Sequence, residues 1–408
     1  IFTMPLVQKI KSKKHNCTLF VNSDKTLLVL PTFFSYAVNL NGVVWYKRDK
    51  QDLEEKDISE SSLGVVHNHL CHFFNWVIEY SKTSQHVTID NHHNFPEELV
   101  NFYINDYLVG EVGKGEHTLN HALMAMQYYY YYLYKTDLIS SRKNIRAFPK
   151  YKKLAKQQTK RRTAVSYLTP DLRNILYRET RSLRDELLLR TGGELGLRSK
   201  ENLGLLLDDF YIGNKKHKGF KSLFAQMKSE PDKMEFTYHL QGIITKASRG
   251  SGGKSRTLYI HRSLLKKFKD YFNLERPESN ENTLLLNDDS NNKGAAISES
   301  AASTAFTETK KRVLVLQANG KTNPNGQKLE KDHVHHTLRH SRGTDFFHEQ
   351  CKKFRIAIDD VTTTSQVYLA TAELLGHSAG DKSAPQTTRR YIRSCHIKEM
   401  FEKDEFDV

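Results

Sequence analysis

His336-Thr337-Leu338-Arg339-His340-Ser341 is the stretch on which the fold turns. A spacing of three on a helix sets His336 and Arg339 on one face, within reach of a single ligand. Histidines crowd this region (His333, His335, His336, His340, His348), so a metal centre has to be weighed. The HExxH pattern is absent, because His348-Glu349 runs on into Gln350, Cys351 and Lys352. An arginine amid the imidazoles also repels a cation, so we expect no metal and read the group as an anion site. Upstream, Leu195-Gly196-Leu197-Arg198-Ser199-Lys200-Glu201 places Arg198 after a glycine turn at a helix head, where unpaired amides favour an anion. Downstream, Leu374-Leu375-Gly376-His377-Ser378 precedes Tyr391, the one tyrosine that follows His377. Three separated segments thus carry cationic and hydrogen-bonding groups suited to a phosphate.

The composition agrees. A formal net charge of +15 over 408 residues points to a polyanionic partner, of which nucleic acid is the commonest. That length exceeds one ordinary compact domain, so two or three are expected. Cys17, Cys71, Cys351 and Cys395 form no CxxC pair, which argues against a disulfide framework and a cysteine zinc site. No apolar run reaches the length of a membrane span, and no charged leader with an apolar core opens the sequence, so we expect a cytoplasmic protein.

Residues 1–58 read as strand-like pieces (18–21, 26–31, 43–46) and a charged linker at 47–57, and are expected to form a separable N-terminal accessory or arm. Leu63, Val66, Leu70, Phe73, Phe74 and Val77 then recur at helical spacing. A second helix at 95–108 opens with Pro96 and two glutamates, and a third at 118–134 takes Thr118 as its cap. The tyrosines at 128–132 point all round that helix and read as core filler. We assign 59–140 to a small all-helical domain. Residues 142–162 hold ten lysines and arginines and no acid. As a linker at 141–165 they either lie along DNA phosphates, through Arg142, Lys143, Lys152, Lys153, Lys160, Arg161 and Arg162, or form a solvated tether. Leu168-Thr169-Pro170-Asp171 starts a fresh helix, with cap and proline in the expected order, and opens a second domain at 166–408.

In order along the chain, Gly196-Leu197-Arg198, His336-Thr337-Leu338-Arg339-His340, Leu375-Gly376-His377 and Tyr391 resemble the motif set of the tyrosine recombinase (phage integrase) family. The resemblance spans roughly residues 60–395. It implies a mainly α protein with a small antiparallel β-sheet (α+β), in which a helical, SAM-like core-binding domain and a catalytic domain form a C-shaped clamp on DNA. It implies site-specific recombination in which Tyr391 attacks the scissile phosphate and forms a 3′-phosphotyrosyl link. Arg198 and Arg339 would clamp the non-bridging oxygens, His377 donate a further hydrogen bond, His336 assist proton transfer, and Glu201 brace the group. Asp209 falls where the family places a carboxylate before its first strand. The family also uses a lysine in a β-hairpin to protonate the leaving 5′-oxygen. Strands at 236–246 and 257–260 flank a Gly- and Ser-rich turn here, and Lys246 matches that position, with Lys254 as the following basic residue. No metal, ATP or other cofactor is implied. The implied partners are double-stranded DNA with specific recombination sites and further copies of the chain, monomeric in solution and a homotetramer on DNA. Strand exchange would pass through a Holliday junction, in a prokaryotic cytoplasm and on behalf of a mobile genetic element. Type IB topoisomerase-like relaxation and a catalytically silent DNA-binding regulator are the alternatives.

Two departures from the family pattern stand out. Tyr391 follows His377 by fourteen residues, a longer gap than the family's, so 379–387 reads as inserted. Residues 211–235 lengthen the connection before the hairpin with a basic stretch (Lys215, Lys216, Lys218, Phe220, Lys221). The tail at 392–408 sets Ile397, Met400 and Phe401 on one face, to pack either on its own domain or on a neighbouring protomer.

Overall fold

The computed structural model describes residues 6–12, 14–47, 52–84, 86–159, 167–245, 255–322, 326–377 and 384–404. These residues are mainly helical, with four two-stranded antiparallel sheets, and the chain divides into two compact units, Ile1–Arg161 and Arg162–Val408.

In the first unit, β1 (Val7–Ser12) and β2 (Cys17–Asn22) form a hairpin with Val7 opposite Asn22. Helix α1 (Val29–Asn41) follows, then a second hairpin of β3 (Val43–Lys47) and β4 (Leu53–Asp57). The strand expected at 26–31 is therefore the start of a helix. Pro31, Phe34 and Val38 face the core, while Val29, Phe33, Tyr36 and Leu40 are exposed. A helix apolar on both sides shows no clear helical period. Helix α2 (Glu60–Ser81) starts on Ser59, whose hydroxyl accepts the Ser62 amide, and buries the apolar row that its spacing predicts. Helix α3 (Glu97–Phe102) runs on as a π-helix, Tyr103–Glu111. Helix α4 (Glu116–Lys135) begins after Gly115 rather than Thr118, and it buries all of Tyr128, Tyr129, Tyr130, Tyr131 and Tyr132.

The described residues within 1–58 are not a detached arm. Val7, Phe20, Phe34, Val38 and Val44 share one hydrophobic cluster with α2 and α4, and Asn75 on α2 accepts the Val7 amide at 2.7 Å. The hairpins are half-buried, and α2 and α4 supply the core that covers them. Burying each such side chain contributes about 1.5–3 kcal/mol, so deletion of residues 1–58 should abolish the cooperative unfolding transition of the first unit. A thermal melt with limited proteolysis reads this, and an unchanged transition would restore the accessory-arm reading.

The basic stretch also differs from a free linker. Two buried asparagines pin its extended first part: Asn101 accepts the Arg146 amide at 2.9 Å and Asn105 accepts the Phe148 amide at 2.8 Å. Helix α5 (Pro149–Gln158) follows. Tyr151 and Leu154 pack against the unit's core, Ala155 is buried within it, and Lys150, Lys152, Lys153 and Lys156 stay exposed. That i, i+3, i+4 apolar set was hidden among lysines whose long stems leave their charges in water.

The second unit opens with α6 (Pro170–Arg178), where Thr169 accepts the Leu172 amide as expected. Next come α7 (Leu183–Leu195), a 3-10 turn (Ser199–Gly204), and the hairpin β5 (Phe210–Ile212) and β6 (Lys215–His217). The long connection at 211–235 thus holds this hairpin and α8 (Phe220–Ser229), which buries Phe220, Leu223, Phe224 and Met227. Strand β7 (Glu235–Leu240) pairs with β8 (Arg256–His261), Leu240 lying opposite Arg256, so the first strand stops short of the expected 246. Helices α9 (Arg262–Leu274), α10 (Ala301–Ala318), α11 (His335–Phe354), α12 (Gln366–Leu375) and α13 (Ala384–Asp404) complete the unit. Helix α13 carries both Tyr391 and the start of the tail, and it packs on its own unit. Lys398 lies 3.2 Å from Asp345, itself paired with Arg173 at 2.5 Å, and Glu399 meets His348 at 3.2 Å.

Candidate active site

Two helix ends and one strand start converge here. Helix α7 stops on Gly196 and α12 on Gly376, both left-handed, at φ 65° and 64°. A residue without Cβ turns the chain there without strain, so Leu197 enters the core and Arg198 heads the 3-10 turn. Glu201, one turn on, accepts the Arg198 amide at 2.9 Å. Arg339 on α11 is 1% exposed and donates to the Gly196 and Leu375 carbonyls. Its Nη2 also lies 3.2 Å from His377 Nε2, and since a guanidinium only donates, Nε2 accepts. One side chain thus ties the three motifs together. Arg198, with 26% of its side chain exposed, is the arginine that faces solvent.

Glu201 is the hub. Its Oε1 lies 2.6 Å from Arg198, and its Oε2 lies 2.7 Å from Arg256 and 3.5 Å from Arg339. Three guanidinium groups therefore share one carboxylate. Burial alone would raise the Glu201 pKa; Arg256, Arg339 and Arg198 outweigh it and hold the carboxyl below its usual range. The bases around it are lowered as well, which for them favours the neutral form. Burial, then repulsion from Arg198 and Arg256, brings Arg339 down to about 9. Burial, then Arg339, Arg198 and Arg256, brings His377 to about 3. Desolvation, then His340, Arg339 and Arg198, lowers His336, whose ring stands edge-on to His340 at 4.4 Å. Bases pushed together toward losing their protons mark positive charge that an anion would balance.

Tyr391 is 3% exposed and its ring stacks on Phe347 at 5.7 Å. Its hydroxyl has no hydrogen-bond partner among the described residues. Burial drives its pKa up, and Arg339 is the strongest opposing influence. Gly343, one turn after Arg339, makes the room: a Cβ there would stand 2.8 Å from the Tyr391 ring and 2.9 Å from its hydroxyl. Gly343→Ala should therefore cost about 1–3 kcal/mol of stability through overpacking. Denaturant unfolding checks this, and a neutral result would place the ring elsewhere.

The structure thus brings together Arg198, Glu201, Arg339 and His377, with His336 at the edge and Tyr391 beside Arg339 on α11. Lys246 and Lys254 lie outside the described residues, as do Lys160, Arg161 and Arg162. Arg142, Lys152 and Lys153 are exposed in the first unit, while Lys143 sits 5.5 Å from the Tyr130 ring. Asp209 is no part of the cluster: it accepts the Gly219 amide at 2.9 Å and pairs with Lys216. Arg256 was missed. It also donates to the Leu374 carbonyl at 2.9 Å, bracing the end of α12. Its signal was the alternation along β8, where Arg256, Leu258 and Ile260 share the buried face.

The histidines set a pH limit on stability. His335 and His340 are held at about 4, chiefly by burial, and His336 and His377 at about 3, against an ordinary 6.5. These groups stay neutral in the fold and take protons when unfolded, so stability is lost as pH falls below about 6.5. The unfolding temperature should drop between pH of about 7 and about 5, and less so in His335→Gln. A flat profile would contradict the buried, neutral assignment.

No family model and no curated protein matches the chain. Solved structures resemble it at low identity. The integrase of the Tn1549 transposon in complex with transposon right end DNA is 13% identical over 90% of this chain and 97% of that one, with a TM-score of 0.49. A lambda integrase dimer bound to a COC′ core site is 11% identical, with 96% of each chain covered and a TM-score of 0.46. XerA recombinase is 12% identical over 85% of this chain and 98% of that one, with a TM-score of 0.36.

Proposed function

We propose that this protein is a tyrosine recombinase, and that its second unit breaks and rejoins DNA strands through a phosphotyrosyl intermediate on Tyr391. The observation that carries the reading is a buried, unpartnered tyrosine hydroxyl that feels Arg339 and Arg198, two of the three arginines that share one buried carboxylate. The Tyr391 oxygen attacks phosphorus, its proton passing to neutral His336. The bond from phosphorus to the 5′-oxygen breaks, and Lys246 protonates the leaving oxygen. Arg198, Arg339 and His377 offset the charge that builds on the pentacoordinate phosphate. The covalent link conserves the phosphodiester's energy, so a new 5′-hydroxyl can reverse the step with no external energy source. The arginines supply the positive charge that phosphoryl transfer needs, so the proposed chemistry uses neither metal nor ATP. Because Tyr391 is buried in this form, α13 must shift against α11 before attack.

Four copies would pair two DNA sites and exchange strands through a Holliday junction, in the prokaryotic cytoplasm where a mobile element integrates. The exposed face of α5 would follow the DNA backbone. Removing one lysine–phosphate ion pair should lower the slope of log affinity against log salt by about 0.9, so Lys152→Ala with Lys153→Ala should flatten it by up to twice that. An unchanged slope would remove α5 from the interface. The reaction itself is tested by incubating the protein with a randomised pool of nicked duplexes in chelator and resolving covalent complexes by denaturing gel. A recombinase leaves a protein–DNA adduct, whereas a silent regulator leaves none. Joining of two different duplexes separates recombination from single-site relaxation.

A further inference from the structure

Helices α2 and α4 each carry a histidine pair at helical spacing: His69 and His72 on α2, His117 and His121 on α4. The rings form one continuous chain across the seam. His117 and His121 lie 4.1 Å apart between centroids, His121 and His69 5.9 Å, and His69 and His72 6.3 Å. Four imidazoles around a tetrahedral ion, with metal–nitrogen bonds of about 2.0–2.1 Å, place their ring centres about 5 Å apart. The three neighbouring pairs lie on either side of that value, in a chain running from His117 to His72, and the rings must rotate for their nitrogens to converge on one ion. Among the described residues, no hydrogen bond or ion pair engages any of the four rings. The titratable groups near His69 are His121, His72 and His117, and those near His121 are His117 and His69.

We propose that His69, His72, His117 and His121 form a binding site for a divalent transition-metal ion that clips α2 to α4. Neutral imidazole suits zinc, copper and nickel, and the absence of a carboxylate disfavours magnesium and calcium. The site is independent of the DNA chemistry proposed for the second unit, and it ties together the helices that support the first unit's core.

The test uses the full chain, free of any affinity-tag histidines and stripped with chelator. Cobalt(II) reports geometry through the intense visible bands of a tetrahedral ion, and zinc(II) is titrated calorimetrically. The expected result is one tight equivalent per chain, tetrahedral cobalt bands and a higher unfolding temperature with zinc. His72 and His117 are exposed, so His72→Ala and His117→Ala leave the fold intact. Each should weaken zinc binding about tenfold or more and remove the tetrahedral bands. Glu330, Asp332 and His333 form a separate group, the one whose ligand atoms already lie close together among the described residues, and His333→Ala should leave this zinc uptake unchanged. Absence of uptake, uptake unaffected by His72→Ala and His117→Ala, or uptake lost in His333→Ala would each overturn the proposal.

Discussion

Tyr391→Phe should unfold at a higher temperature than the parent protein and yet form no covalent adduct with DNA. The two effects share one cause. The phenol is buried without a partner among the described residues, and an unsatisfied buried polar group costs about 1–3 kcal/mol. Phenylalanine keeps the stacking on Phe347 and relieves that cost. For a unit of this size each kcal/mol raises Tm by about 2–4 °C, so an increase of several degrees is expected. Activity moves the other way, from full to none, because phenylalanine has no nucleophile. A stabilised, inactive variant is the pattern expected where a functional group is held against the preference of the fold. Residual adduct in Tyr391→Phe would point to another nucleophile, and a lower Tm would mean that the hydroxyl has a partner.

Glu201→Gln is the second large effect. The substitution preserves shape and removes the one negative charge that Arg198, Arg256 and Arg339 share. Removing one partner of a buried ion pair costs about 3–5 kcal/mol, a large share of the 5–15 kcal/mol by which a typical domain is stable. The linkage has a definite sign. Glu201 has a folded pKa below its ordinary 4.5, so its contribution is complete above that value and disappears as pH falls through the folded one. Pairing Glu201→Gln with Arg256→Met should recover part of the loss, since both charges are then gone. Inorganic phosphate should also stabilise the Gln variant by filling the vacated counter-charge. A loss below about 1 kcal/mol would match a screened surface pair and contradict the buried cluster.

The site was more legible in the sequence than the scaffold. Arg198, Arg339 and His377 sit in short motifs whose glycines at 196 and 376 end helices, and such local signals survive without knowledge of tertiary contacts. Arg256 escaped because its partner, Glu201, is fifty-five residues away, and beside a Gly- and Ser-rich turn it looked like one more basic residue. Helix α1 escaped for a different reason. Its two apolar faces erased the periodicity, so 26–31 read as a strand. Residues 1–58 looked separable because hairpins carry no mark of which core they cover; that Phe20 and Phe34 pack with α2 and α4 is a long-range fact. Helix α5 was concealed by its own lysines. Glu201 was implied by the family resemblance, and its place three residues after Arg198 is what lets it accept the Arg198 amide.

The central claim is that Tyr391 becomes covalently joined to DNA. The most direct measurement is to trap the full-length protein on the randomised pool of nicked duplexes, digest both partners, and identify the modified peptide by mass spectrometry. The account predicts a nucleotide on the peptide that contains Tyr391, joined through the 3′-phosphate and leaving a free 5′-hydroxyl on the released strand. An adduct on any other residue, a 5′-phosphate linkage, or cleaved DNA without bound protein would contradict it.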